Sequence, residues 1–302
     1  MAGIDLNRTT SGVYLPPQVS DEIWQSTQAQ SSVMQLARQV ALPGSGVAVP
    51  VVTGDPEAQW VAETAVKPVS RGTLDYKQMR AYTLAVIVPF SNQFRRDLPG
   101  LYNAMVSRLP GVLAKKFDNT VFFGTAPGSD FDTLTAAPTV SVANTGSVNA
   151  YAGFLGALAT TAQNGADVTG WALSAQGEIT ALSALDGNGR PIFTSDAQND
   201  GTVGRILGRP AYRSAAVYKA GTGTGASSVA ETVGFGGDWS SALWGQVEGI
   251  QIDVSDQATL EDGGTTINLW QRNMFAVRAE IEVGFRLRQA NHFVRLTGTK
   301  PA

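Results

Sequence analysis

Polar and apolar positions along the chain fall into runs of different period. Residues 47–52 and 74–88 read as strands; in the second run Tyr76, Met79, Tyr82, Leu84, Val86 and Val88 mostly alternate with other residues. Between them Gly54, Asp55, Pro56, Pro68 and Gly72 punctuate a long stretch. Together these predict a two-stranded flap, and a strand pair without a third partner is marginal alone. Such a flap needs another surface to lie on. Residues 97–123 show helical spacing in Leu98, Leu101, Tyr102, Met105, Leu109, Leu113 and Phe117. Asp97 reads as the N-cap, Pro99 falls in the first turn, and Gly124 is placed to end the helix as a C′ glycine. Pro110-Gly111 interrupts this pattern, and proline costs about 3 kcal/mol inside a helix, which predicts a kink or two helices end to end. Further helices are expected over 151–163 and 177–185, followed by a tight turn at Asp186-Gly187-Asn188-Gly189. The Gly/Thr/Ser-rich stretch 220–238 reads as an exposed loop. Ile250, Ile252 and Val254 mark a short strand, and 266–283 and 292–296 form a strand-rich tail. Residues 1–31, rich in Ser, Thr and Gln with Pro16-Pro17, read as an arm.

Charge divides the chain into three blocks. Residues 1–118 carry eleven basic and nine acidic side chains, 119–262 carry five and fourteen, and 263–302 carry six and two. The acidic middle block is chemically distinct and reads as a domain inserted between two segments that belong together. The net charge of −3 excludes a generally cationic nucleic-acid binder, so any contact with DNA is expected to be weak and non-specific. Only 16% of residues are charged, against roughly 25% in an average soluble protein. A low share of charge with six tryptophans fits a surface covered by other chains, since permanent interfaces are depleted in Lys, Glu and Asp. No apolar run approaches the roughly 18 residues of a membrane helix, and Met1 to Arg8 lacks the apolar stretch of a signal peptide. A soluble protein kept in the cytosol is the expectation.

Candidate chemistry is sparse. With no cysteine and a single histidine, disulfides, thiolate metal sites and His-rich metal sites are excluded. No metal site and no cofactor are expected. The glycines at 221, 223 and 225 mimic a phosphate loop but lack the following Lys-Ser/Thr. The acidic turn from Asp196 to Gly201 has Leu207 where a calcium loop needs its bidentate glutamate. His292 reads as structural, and Glu261-Asp262 as a solvated turn. None of these supports an enzyme.

The flap carries a resemblance. Ala58-Gln59-Trp60-Val61-Ala62-Glu63-Thr64-Ala65-Val66-Lys67-Pro68, then Ser70, resembles the E-loop of tailed-phage major capsid proteins of the Hong Kong 97 type. Val88-Pro89-Phe90-Ser91 followed by Asp97 is similar to the approach to that family's spine helix. Trp171, Leu182 to Phe193, Gly204 to Pro210 and Gly236-Gly237-Asp238 resemble its axial domain. Asn273-Met274, Arg278-Ala279-Glu280 and Phe293-Val294 resemble the last strands of its peripheral domain. These motifs follow in order over nearly the whole chain beyond the arm.

The resemblance implies an α+β fold of the Hong Kong 97 type. Its parts are an N-terminal arm (1–31), a peripheral domain (32–136 and 258–302) with an E-loop at about 52–84 and a spine helix at about 97–123, and an axial domain inserted at 137–257. It implies a structural protein whose hexamers and pentamers close into an icosahedral shell around double-stranded DNA, in the virion and, during assembly, in the host cytoplasm. Portal, scaffolding and decoration proteins are the implied partners, with no membrane. The absence of a long extension before Met1 suggests a separate scaffolding protein or a mature chain. Trp60, Glu63, Lys67 and Pro68 become candidate contacts with a neighbouring subunit. Lys67 and Asn273 also match the family's isopeptide pair, with Glu280 as proton acceptor. An encapsulin-like compartment shares the implied fold, and a soluble carboxylate-dependent hydrolase is the alternative from another class.

Overall fold

The computed structural model describes residues 31–54, 56–64, 66–97, 106–143, 149–184, 202–223 and 228–299. The predicted arm up to residue 30, the helical turn around Pro99, the turn at 186–189 and the acidic run at 196–201 lie outside them. The chain is α+β, built on two sheets.

The first sheet is organised by one long strand. β14 (Met274–Leu287) pairs antiparallel with β4 (Tyr82–Ser91) from Met274–Ser91 to Val283–Tyr82. It also pairs with β11 (Gln251–Ser255) and β10 (Ala242–Gln246), and β10 pairs in parallel with β1 (Arg38–Ala41). Alternation sends Phe275, Val277, Ala279, Ile281, Val283 and Phe285 into the core, while Arg278, Glu280 and Glu282 point the other way. Against the apolar face lies helix α3 (Leu109–Phe123), which buries Leu113, Phe117, Val121 and Phe122. Phe117 meets Phe285 edge-on, with ring centroids 6.4 Å apart.

The second sheet has the order β5-β15-β9-β6-β8-β7, where β5 is Thr139–Ser141, β15 Phe293–Thr297, β9 Thr232–Gly237, β6 Gly170–Leu173, β8 Arg209–Arg213 and β7 Thr202–Ile206. Two helices pack on it, α4 (Ala150–Gln163), capped by Asn149, and α5 (Ala175–Leu182), capped by Ser174. Phe154, Trp171, Leu173, Val233, Val294 and Leu296 form the core beneath them.

Several elements differ from the sequence expectation. The apolar run at 74–88 is two strands, β3 (Thr73–Met79) and β4, which break at Arg80-Ala81 and join different sheets. Asp97 is the last residue of a short helix α2 (Asn92–Asp97), the helical stretch predicted after it lies outside the described residues at 98–105, Val106 is helical, and α3 starts at Leu109 after a turn at 107–108. Pro110 therefore sits in a first turn, where its missing N–H is harmless, and the turn between helical Val106 and α3 fits the second of the two expectations, helices end to end, in place of a kink. Gly124 does end α3, but with φ −81° and ψ 172° it is extended and not left-handed. Glycine is needed there for space, since a Cβ would stand 2.7 Å from Thr120 Cα.

The stretch 220–238 is not all loop, because its second half is β9, buried along its whole length. Its glycines are what the packing demands. A Cβ on Gly236 would collide with the Trp171 ring, and one on Gly237 with Phe293. The sheets also exchange strands relative to the predicted domain boundaries. β10 and β11, counted with the middle block, belong to the first sheet; β15, counted with the flanking segments, belongs to the second.

One buried carboxylate ties the chain leaving the arm to α3. Asp118 is 1% exposed and accepts hydrogen bonds from Ser31 Oγ (2.5 Å), Ser32 Oγ (2.8 Å), Ser32 N (2.8 Å) and Val33 N (3.4 Å). It thereby holds the start of helix α1 (Ser32–Leu36), whose N-cap Ser31 in turn accepts from Met34 N. Burial raises its pKa to about 6, with the four donors pulling the other way.

Candidate functional site: an unsupported hairpin and the sheet face beside it

β2 (Val47–Gly54) and β3 pair antiparallel from Val47–Met79 to Gly54–Thr73, and among the described residues no third strand joins them. The base of this hairpin is clamped. Val49 and Met79 pack with Leu42 and Leu243 in a small core, and Lys77 Nζ donates to the Leu287 carbonyl at 2.9 Å and stands 3.6 Å from Asp132. Asp132 is itself held by Arg286 at 2.9 Å and by the Leu287 N–H at 3.0 Å, so the clamp extends to the end of β14.

Toward its tip the hairpin loses all support. Every described residue from 56 to 76 is exposed, and the turn is braced by the Glu57 N–H donating to Ser70 Oγ at 2.7 Å. Trp60 is 105% exposed, Val66 94%, Val69 85% and Tyr76 71%. Scattered apolar residues on a surface need no explanation, but four on one projecting element mark an interaction surface. Burying a tryptophan removes about 150–250 Å² from water, on the order of 4–6 kcal/mol. A solitary molecule forgoes that gain.

The structure places the predicted site residues apart. Trp60, Glu63, Lys67 and Pro68 are on the hairpin tip. Asn273 is in the turn before β14, with φ 53°; its Oδ1 accepts from Asn92 Nδ2 at 2.9 Å and its carbonyl from the Asn92 N–H at 3.1 Å. Glu280 lies on the outward face of β14, 3.4 Å from Arg278, which also binds Asp253 at 2.6 Å. Seven residues of extended chain put Asn273 and Glu280 about 24 Å apart. One chain does not bring the three groups together.

Sequence reasoning missed Asn92, which orients and polarises the Asn273 amide. It also missed Trp270, 71% exposed in the same turn as Asn273. A tryptophan followed by the polar run Gln271-Arg272-Asn273 was the available signal. The other candidates stay apart from any chemistry. His292 lies in a short 3-10 turn, the glycines at 221 and 223 flank Thr222, which bridges to Val229, the glycine at 225 lies outside the described residues, and Glu261-Asp262 lead into a Gly263-Gly264 turn with φ 54° and 86°. Among the described residues no three His, Asp or Glu side chains converge as metal ligands.

The profile of the phage capsid family matches residues 11–298. The chain belongs to that family. A probable major capsid protein of Mycobacterium phage D29 is 32% identical over 297 residues, covering 94% of this chain and 90% of the relative. Its counterpart from Mycobacterium phage L5 is 31% identical, covering 94% and 89%. Among solved structures, a chain from Mycobacterium phage Ogopogo superposes with a TM-score of 0.71 at 17% identity, covering 89% of this chain and 92% of the other. Over that span the fold is shared although the sequences have diverged.

Proposed function

We propose that this phage capsid family member is the major capsid protein of a tailed double-stranded DNA phage, a structural subunit whose hexamers and pentamers close into an icosahedral shell. The carrying observation is the hairpin. Its base is fixed and its apolar tip has no partner among the described residues of its own chain, in a protein matched to the phage capsid family over nearly its full length. In this reading the hairpin is an E-loop that lies on the adjacent subunit, α3 is the C-terminal part of the spine helix, and the two sheets are the peripheral and axial domains of a Hong Kong 97-type fold. Portal, scaffolding and decoration proteins and packaged DNA are its partners. The site of action is the virion, after assembly in the host cytoplasm. Electron microscopy of the purified protein is expected to show closed shells; a monomer or dimer under every assembly condition overturns the reading.

The same reading includes a covalent contact. Lys67 on one subunit attacks Asn273 Cγ on another as a neutral amine, forming the new C–N amide bond, while Glu280 from a further position accepts the amine proton and returns it to the Asn273 NH₂ group, which leaves as ammonia when its C–N bond breaks. Its support is that Lys67 is exposed on the tip and that Asn92 polarises the target carbonyl. The separation of Asn273 from Glu280 requires at least two and as many as three copies to compose the site, so the lattice supplies the positioning. Boiling assembled particles in SDS is expected to give a ladder of multimers. Lys67→Ala collapses the ladder to the monomer band, and a wild-type sample that runs wholly as monomer rejects the cross-link.

A further inference from the structure

Helix α3 has a second face that its packing leaves open. Arg108, Val112, Lys115, Lys116, Asn119 and Phe123 fall within a sector about 100° wide at 3.6 residues per turn. Of these only Phe123 is half-buried, and the stripe contains no acidic residue. Lys219 extends it from outside the helix, its Nζ 5.7 Å from the centre of the Phe123 ring. Lys116, Asn119, Tyr218 and Lys219 line a concavity of about 460 Å³ there. Among the described residues, Arg108, Lys115, Lys116 and Lys219 form no ion pair. The carboxylate on this side, Glu231, is engaged by Tyr218 Oη at 3.0 Å and Thr299 Oγ1 at 3.1 Å.

The opposite face of the first sheet has the other sign. There Asp253, Glu280 and Glu282 surround a single Arg278, which is already paired. The layer formed by α3 and the sheet is therefore electrically two-sided, cationic on the helix and anionic on the outer strands. We propose that the Arg108–Lys219 face of α3 binds the phosphates of duplex DNA and is the lumenal surface of the shell. This rests on the capsid reading above. It reconciles DNA contact with a net charge of −3, because the cations are gathered where they have no acidic partner.

The stripe runs about 22 Å along the helix, where duplex DNA at one charge per about 1.7 Å of axis offers about 13 phosphates, so the four cations set the limit at three to four phosphates neutralised per copy. Such a contact is weak singly and sequence-independent, and it becomes substantial through repetition over the shell. With three phosphates neutralised, affinity for DNA falls about 40-fold between 50 and 200 mM salt.

Fluorescence anisotropy of a labelled 30-bp duplex with unassembled protein tests the contact. The Lys115→Gln/Lys116→Gln/Lys219→Gln variant is expected to bind at least tenfold more weakly and with a flatter salt dependence, whereas Arg205→Gln/Arg288→Gln, at exposed cations away from α3, matches wild type. Equal binding by the triple variant, or no binding by wild type at 50 mM salt, overturns the proposal. A second measurement needs no mutant. Acetylation of Lys115, Lys116 and Lys219 is expected to be several-fold slower in DNA-filled than in DNA-free particles, with Lys77 at the hairpin base unaffected. Equal rates overturn the lumenal assignment. Failure of wild type to form any shell defeats the capsid reading, and the anisotropy outcome then stands separately.

Discussion

Replacing residues 55–72 by Asn-Gly, so that Gly54 joins Thr73 through a two-residue turn, is expected to give a folded protein that forms no closed shells. Asn-Gly suits the tight hairpin turn this requires, and the strand pairing from Val47–Met79 to Val52–Leu74 is retained. The removed residues contribute nothing to the three buried clusters, so the unfolding midpoint should change by less than about 1 kcal/mol equivalent. Assembly is affected differently because in the proposed shell every subunit both offers a tip and receives one. The single change Trp60→Ala grades the effect. Loss of an aromatic anchor at an interface centre costs about 2 kcal/mol or more, which raises the threshold concentration for assembly roughly 30-fold. Sedimentation velocity across a concentration series checks both. Shells at wild-type threshold from the truncated chain would remove the hairpin from the assembly mechanism.

The hairpin was legible in the sequence because local signals agree there: alternation in two runs, Gly and Pro between them, and apolar residues with no periodic partner. Helices α4 and α5 were legible for the same reason, each with apolar spacing and a capping side chain. What was not legible depends on contacts distant in sequence. The run at 74–88 looks continuous, and only its assignment to two sheets splits it at Arg80-Ala81. Pro110 reads as an interruption until the helix is seen to start beside it. β9 has glycine at three of its six positions, which weakens the strand signal, since Trp171 and Phe293 occupy the space that side chains at 236 and 237 would fill. The exchange of β10, β11 and β15 between sheets has no local trace at all. Lys67 could be located from its motif, but the distance between Asn273 and Glu280 needed the strand that joins them.

Asp118 shows the same limit most sharply, because an aspartate in mid-helix reads as solvated, yet here it is buried among the donors of Ser31, Ser32 and Val33. Its folded pKa of about 6 lies above the ordinary 3.8, so the folded chain holds a proton over a range in which the unfolded chain has released it. The sign follows directly. The stabilisation from this group is complete below about pH 4 and is lost as pH rises through 6. Two pH units of separation correspond to about 3 kcal/mol. Asp118→Asn keeps the shape and removes the titration; its amide oxygen can face Ser32 while its NH₂ meets the Ser31 hydroxyl, which rotates to accept. Urea unfolding at pH 4 and pH 8 is therefore expected to show wild type losing about 3 kcal/mol relative to Asp118→Asn over that interval. Asp118→Ala is a different test, since it strands two hydroxyls and two N–H groups in the core. A loss of about 2–4 kcal/mol at pH 7 is expected, with α1 becoming the first segment cut by protease. A pH-independent difference between wild type and Asp118→Asn would show that the carboxylate stays ionised throughout and that its four donors outweigh burial.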